Sequence, residues 1–300
     1  MITASQISKQ FDGIEAVKDI SVSIRNGEVF GLIGTNGAGK STFLRMACGI
    51  LKPDSGTLLV DEKQVYENDA VKAEIFYISD DQYFLPNATP LDMADFYHDY
   101  YVKFDMGRFR ELLGKFQLEQ RRKVATFSKG MKKQLSVLLG VCANTKYMFC
   151  DETFDGLDPM MRQAVKSIFA GELAGRDFTP VIASHNLREL EDICDSVGIL
   201  HQGGVIMQKD LEEMKLNIHN IQCVFHTPED EAAALRGLAI VKSEKRGSLN
   251  TLTVRGKIEE IMAGINLHNP VFAENISLTL EEIFISETEV AGYDIKNLIF

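Results

Sequence analysis

Three hundred residues, 45% of them hydrophobic and 25% charged, suit one large or two modest well-cored domains rather than a disordered or fibrous chain. The formal net charge is −11, and residues 210–300 carry 15 acidic against 8 basic side chains. That balance argues against nucleic acid or anionic lipid as an electrostatic partner. No basic-then-apolar leader opens the chain, so a cytoplasmic protein is expected. The longest apolar helical run, Leu135 to Ala143, is broken by Ser136 and falls far short of the roughly 20 residues that span a bilayer. Cys48, Cys142, Cys150, Cys194 and Cys223 show no C-x-x-C spacing and read as reduced, mostly buried thiols.

In chain order, Ile2 to Gln10 reads as an edge strand, with Phe11 leading to a turn at Asp12-Gly13. Val17, Ile20, Val22 and Ile24 mark a half-buried strand, and Asn26-Gly27 signals a hairpin turn back into the strand at Val29. The apolar run Val29 to Ile33 then meets Gly34-Thr35-Asn36-Gly37-Ala38-Gly39-Lys40-Ser41, which fits G-x-x-x-x-G-K-[ST]. Thr42 follows, and Phe43, Leu44, Ala47 and Cys48 continue at helical spacing. Strand, glycine turn and helix start make a phosphate cradle, because glycines let backbone N–H groups converge and the helix start adds positive potential. Lys40 is expected to reach the β- and γ-phosphates and the Ser41 hydroxyl to ligand Mg²⁺. The bland alternative is a chance glycine-rich turn; a strand before it and a helix after it weigh against that.

Further strands are expected at Thr57–Val60 and Glu74–Ser79, and helices through Pro90–Phe116, where Met93, Phe96, Tyr97, Tyr100 and Tyr101 read as packing residues. Ser128 is a natural N-cap for an apolar helix through Leu135 and Leu139. Tyr147–Cys150 is an apolar strand ending in Asp151-Glu152. Asp151 at its carboxyl end suits Mg²⁺ held through water, and Glu152 suits a general base. Asp155-Gly156-Leu157-Asp158-Pro159 is a turn into the next helix, and the strand Val181–Ser184 ends at His185. Acidic pairs at strand ends and lone histidines are commonly structural; their order along the chain gives them weight.

Taken together these residues resemble the nucleotide-binding subunit of an ATP-binding cassette (ABC) transporter, from about Ile2 to Leu211. Gly34–Ser41 resembles the Walker A loop, Tyr147–Asp151 Walker B, Glu152 the catalytic glutamate, Asp155–Asp158 the D-loop and His185 the switch histidine. Ser128-Lys129-Gly130-Met131 resembles the signature motif, with Lys129 and Met131 where the family has Gly and Gln. Phe127–Met131 and Glu152–Asp158 are similar to the YtrB-like cassettes of a Gram-positive subgroup. The resemblance implies an α/β P-loop fold of the ABC ATPase type: a mixed central sheet, an antiparallel β subdomain and a helical insert. A domain at 1–212 with its insert at about 85–140 is expected, followed by a small α+β region at 213–300.

It also implies ATP and Mg²⁺ as ligands, with Glu152 and His185 catalytic. ATP would contact Phe11 (stacking on adenine), Thr35, Asn36, Gly37, Ala38, Gly39, Lys40, Ser41, Thr42, Ser128, Gly130 and Asp158. Ser41, Asp80 and Asp151 would face the metal; the family carries Gln where this chain has Asp80, with Gln82 two positions later. The implied partners are a second cassette, as homodimer or heterodimer, and separate transmembrane permease subunits, which places the chain at the inner face of the cell membrane. The alternative is a soluble ABC-type ATPase acting on a non-membrane partner. Ribosome- and DNA-directed relatives carry paired cassettes or long coiled coils, which this chain lacks. A scaffold that binds ATP without turnover is disfavoured by Glu152 and His185.

Overall fold

The computed structural model describes residues 1–191, 193–279 and 281–282. It divides into two compact units, Met1–Gln208 and Lys209–Phe300.

In the first unit, β1 (Ile2–Phe11) pairs antiparallel with β2 (Ile14–Ile24). The apolar run becomes β3 (Phe30–Ile33), buried throughout, and leads through the glycine turn into α1 (Lys40–Ala47). β4 (Ser55–Val60), β5 (Lys63–Gln64) and α2 (Asp69–Lys72) precede β6 (Ile75–Ile78). The helical region comprises α3 (Pro90–Tyr100), α4 (Met106–Lys115), a 3₁₀ turn at Val124–Thr126, and α5 (Lys129–Cys142). Then come β7 (Tyr147–Asp151), α6 (Pro159–Gly175), β8 (Thr179–Ser184), α7 (Leu187–Glu191), β9 (Ser196–His201) and β10 (Gly204–Asp210).

Two sheets result, one in the order β2-β1-β4-β5 and one in the order β10-β9-β3-β8-β7-β6. Strand β3 pairs parallel with both β8 and β9, and β7 pairs parallel with β6 and β8. Two expectations change here. β1 is an interior strand, bonded to β2 on one side and β4 on the other, with Ile2, Ala4 and Ile7 buried. Asn26-Gly27 does not close a hairpin, because both edges of β3 are taken by β8 and β9 and the chain crosses there from one sheet to the other. A shared core with Ile7, Ile20, Phe30, Phe43, Tyr147 and Val181 joins residues of both sheets and α1. Parallel strands put Ile33, Asp151 and Ser184 at one carboxyl edge, the usual ligand edge of such sheets.

The second unit opens with α8 (Leu211–Asn217) and β11 (Ile218–Val224). It continues through α9 (Pro228–Leu235), β12 (Ala239–Arg246), β13 (Leu249–Arg255), α10 (Ile258–Asn266) and β14 (Phe272–Ile276). From β11 onward the order is β-α-β-β-α-β, and the antiparallel sheet runs β12-β13-β11-β14, a ferredoxin-like arrangement. Ile221, Cys223, Leu252 and Val254 from the sheet pack with Ala234, Ile261 and Ile265 from the helices. The sequence pattern reads as strands at Ile218–Phe225 and Leu249–Val254 and as helices at Lys257–Ala263 and Thr279–Ser286; the first three are β11, β13 and α10, while α9, β12 and β14 carry no such signal. A capping box is expected at Thr279, and Glu282 accepts from the Thr279 backbone while Thr279 Oγ1 accepts from Glu282 N. The expected apolar face at Leu280, Ile283 and Phe284 lies outside the described residues.

Candidate functional site

The cradle between β3 and α1 is shaped by steric need at two glycines. Gly39 sits at φ +100, and a Cβ there would meet the Ala16 carbonyl oxygen at 2.4 Å. At Gly34 a Cβ would meet the Leu200 carbonyl oxygen at 2.6 Å, so the loop lies directly against the end of β9. Gly203 N donates to Ala38 O at 3.2 Å and braces the loop from the β9–β10 turn. Helix α1 starts at Lys40 with no side-chain cap and no acidic residue in its first turn. Its first N–H groups are therefore left for an anion. A cavity of about 290 Å³ opens there, lined by Ala16, Asn36 to Thr42, Asp80 and Glu152.

Lys40 is only 5% exposed and bridges this cavity. Its Nζ donates to Gly34 O at 2.7 Å and Thr35 O at 3.2 Å and lies 3.1 Å from Glu152 Oε1. Ser41 Oγ donates to Asp151 Oδ1 at 3.0 Å, so the two expected metal-facing residues meet although 110 positions apart. Burial pushes the Asp151 carboxyl above the ordinary carboxylate range, and the neighbouring Glu152 adds to the rise. The hydroxyls of Ser41 and Tyr77 work against that shift, Tyr77 donating to Oδ2 at 3.1 Å. A buried carboxylate held by two hydroxyls is a good cation ligand, since a cation offsets the charge that burial penalises. No cluster of three His, Cys, Asp or Glu able to hold a metal occurs among the described residues. The Ser41 hydroxyl and the Asp151 carboxylate are oxygen donors of the kind Mg²⁺ takes when it shares its coordination with phosphate and water.

Glu152 follows β7 with φ +46, a left-handed conformation uncommon outside glycine. Its N–H donates to Ala183 O at 3.0 Å, which fixes it beside β8. His185, just beyond β8, has Nδ1 2.9 Å from Glu152 Oε2. An ionised carboxylate only accepts, so Nδ1 carries the proton. Lys40, Ser41, Asp151, Glu152 and His185 thus converge as the sequence pattern requires, because parallel strands deliver them to one edge.

Other expected contacts stand elsewhere. Phe11, at the end of β1, is 42% exposed and does not line the cavity. Ser128 and Gly130 lie outside that lining too, and Ser128 caps α5 through Met131 N at 3.2 Å. Asp158 caps α6 through Met161 N at 2.9 Å. Asp80 does reach the cavity, with Oδ1 3.7 Å from Lys133 Nζ. The Gln82 amide nitrogen is buried without a hydrogen-bond partner among the described residues. Two residues escape a reading by motif: Tyr77, an ordinary strand aromatic until its hydroxyl meets Asp151, and Lys133, a charged side chain that reads as surface although its place on α5 is buried. All five cysteines are buried free thiols, and burial raises the pKa of each. They are poor nucleophiles.

Residues 17–155 match the family model described as ABC transporter. Over 287 residues the chain is 33% identical to the ABC transporter ATP-binding protein YtrB of Bacillus subtilis, covering 96% of this chain and 98% of that protein. The solved structure of an ATP-binding subunit of an ABC transporter superposes with a TM-score of 0.66 at 21% identity, over 89% of this chain and 99% of its own. The dimeric post-hydrolysis structure of the cassette MJ0796, bound to ADP and Pi, gives a TM-score of 0.63 at 20% identity, over 70% of this chain and 99% of its own. These two likenesses speak for the fold.

Proposed function

The chain belongs to the ABC transporter family of ATP-binding subunits, a family of ATPases, and we propose that it hydrolyses ATP between two cassettes to drive separate transmembrane subunits. The observation that carries this reading is the meeting of Lys40, Ser41, Asp151, Glu152 and His185 at one strand edge beside an uncapped helix start.

The cradle amides and Lys40 bind the β- and γ-phosphates. Ser41 and Asp151 would hold Mg²⁺, which supplies neutralisation of the charge developing on the transferred phosphoryl group. Glu152, aligned by His185 and Lys40, accepts a proton from the attacking water. His185 keeps Glu152 oriented and reaches toward the γ-phosphate. Phe11 is offered for adenine stacking by its exposure at the end of β1. Ser128, Gly130 and Asp158 lie outside the lining of the cavity in their own subunit, and in the closed dimer such residues of one cassette cover the γ-phosphate held by the other. ATP then joins two surfaces, and hydrolysis parts them. The helices from α3 to α5 pass that motion to membrane subunits. Among the described residues no helix is long and apolar enough to cross a membrane, which fits a division of labour with other chains.

Glu152→Gln tests the reading. It should retain ATP binding, slow turnover by about 10²–10⁴, and accumulate an ATP-stabilised dimer on size exclusion. Hydrolysis at the parental rate would place the base elsewhere.

A further inference from the structure

Lys133 is a cation buried to 1% exposure in the second turn of α5, where an amphipathic helix would ordinarily carry an apolar side chain. Burying an ammonium is costly unless its donors are met. Three groups from outside its own helix surround Nζ. It donates to the Glu152 carbonyl oxygen at 2.5 Å, and it lies 3.7 Å from Asp80 Oδ1 and 4.0 Å from Asp155 Oδ2. These come from the loop after β6 and from the segment after β7. An ammonium carries three donors, so one side chain serves all three partners. Its contact with the general base is to the main chain, at the one residue of the catalytic pair held at φ +46. Such a conformation is uncommon outside glycine, and here the Ala183 carbonyl and the Lys133 ammonium hold the Glu152 main chain on both sides.

We propose that Lys133 is a positioning residue for hydrolysis: its ammonium anchors the main chain of Glu152, and so aims the carboxylate, while tethering Asp80 and Asp155. This rests on the ATPase reading above and adds a residue to it. Lys133 touches neither phosphate nor attacking water; it acts through Glu152. It also accounts for a carboxylate at Asp80, on the rim of a phosphate cavity, because the cation beside it offsets charge that would otherwise repel the γ-phosphate.

The test uses the purified full-length chain and four variants: Lys133→Met, Lys133→Gln, Glu152→Gln and the double variant Lys133→Met/Glu152→Gln. Lys133→Met should lower kcat by about 10²-fold, the scale of a catalytic group displaced by about 1 Å, with KM for ATP little changed. Lys133→Gln keeps a donor for the carbonyl but no charge and should lose about tenfold, between parent and Met variant. The double variant should hydrolyse no more slowly than Glu152→Gln alone, since residues acting as a unit are not additive. A parental kcat in either Lys133 variant, or a multiplicative loss in the double variant, overturns the inference. If Lys133→Met does not fold, Lys133→Gln decides by the same criterion. A parent chain without ATPase activity would instead defeat the functional reading itself, so the two failures are distinct.

Discussion

The two units of this chain treat charge in opposite ways. Among the described residues, the buried ionised-type side chains Glu28, Lys40, Lys133, Asp151, Glu172 and Glu189 all lie within Met1–Gln208. In the unit from Lys209 onward the buried polar residues are His219, Asn250 and Thr253. Its core is otherwise Ile221, Cys223, Leu252, Val254 and their helical partners. Burying charge costs several kcal/mol unless it is paired, so buried charge marks places where chemistry or specific attachment outweighs packing. Lys40, Asp151 and Lys133 stand around the phosphate cavity. Glu172 is different in kind: it is held by Arg108 of α4 and by Arg176 Nε at 2.5 Å, and so fastens the helical region to α6. The lesson is that the first unit's sequence encodes a site as well as a fold, while the second's described core encodes packing.

The largest effect that sharpens this contrast is expected at Lys40. Lys40→Ala removes what is, among the described residues, the only long cationic side chain lining the cradle, and should take ATP binding below detection in an equilibrium nucleotide-binding assay. Equal affinity in variant and parent would remove Lys40 from the site. Next in size is Leu252→Ala in the second unit, where the side chain is fully buried. It should destabilise that unit by about 2–5 kcal/mol in urea denaturation. ATP affinity should stay at the parental value. A parallel loss of ATP affinity would break the contrast, because an apolar core would then be reporting to the cradle.

The same contrast explains what could be read in advance. The meeting of Lys40, Ser41, Asp151, Glu152 and His185 at one edge was legible because the motif fixes residue type at set spacing and parallel strands leave one edge for such residues. The position of β1 was not legible: period-two alternation is the same for an interior and an edge strand of an antiparallel sheet, and only pairing with β4 decides. Asn26-Gly27 misled because a turn signal gives local geometry and not the sheet its exit strand joins. Tyr77 and Lys133 were hidden because their roles depend on partners 74 and 19 residues away. In the second unit, β12 is mostly exposed and mixed in polarity, Ala239 to Arg246, so it carries little periodic signal.

The smallest expected effect has the opposite sign, and concerns Asp151. Burial raises its carboxyl pKa in the folded chain, with Glu152 adding to the shift against the hydroxyls of Ser41 and Tyr77. A carboxyl with a raised folded pKa is best tolerated while protonated. Its favourable share of stability is complete below the unfolded value, near about 3.9, and is lost as pH rises through the folded pKa. Wherever Asp151 is ionised it is therefore a cost to the fold, one that the proposed metal-facing role would explain. Asp151→Asn keeps one oxygen to accept from one of the two hydroxyls, presents its NH2 to the oxygen of the other, and cannot ionise. It should raise Tm at pH 7, by about 2–4 °C for each kcal/mol gained, while abolishing Mg²⁺-dependent turnover. The gain should shrink toward zero as pH falls below about 4, where the parental carboxyl is protonated in both states. Thermal unfolding of both proteins across that pH range checks it. An Asn variant less stable than the parent at pH 7 would mean that the two hydroxyls outweigh desolvation, and buried charge here would then serve the fold as well as the site.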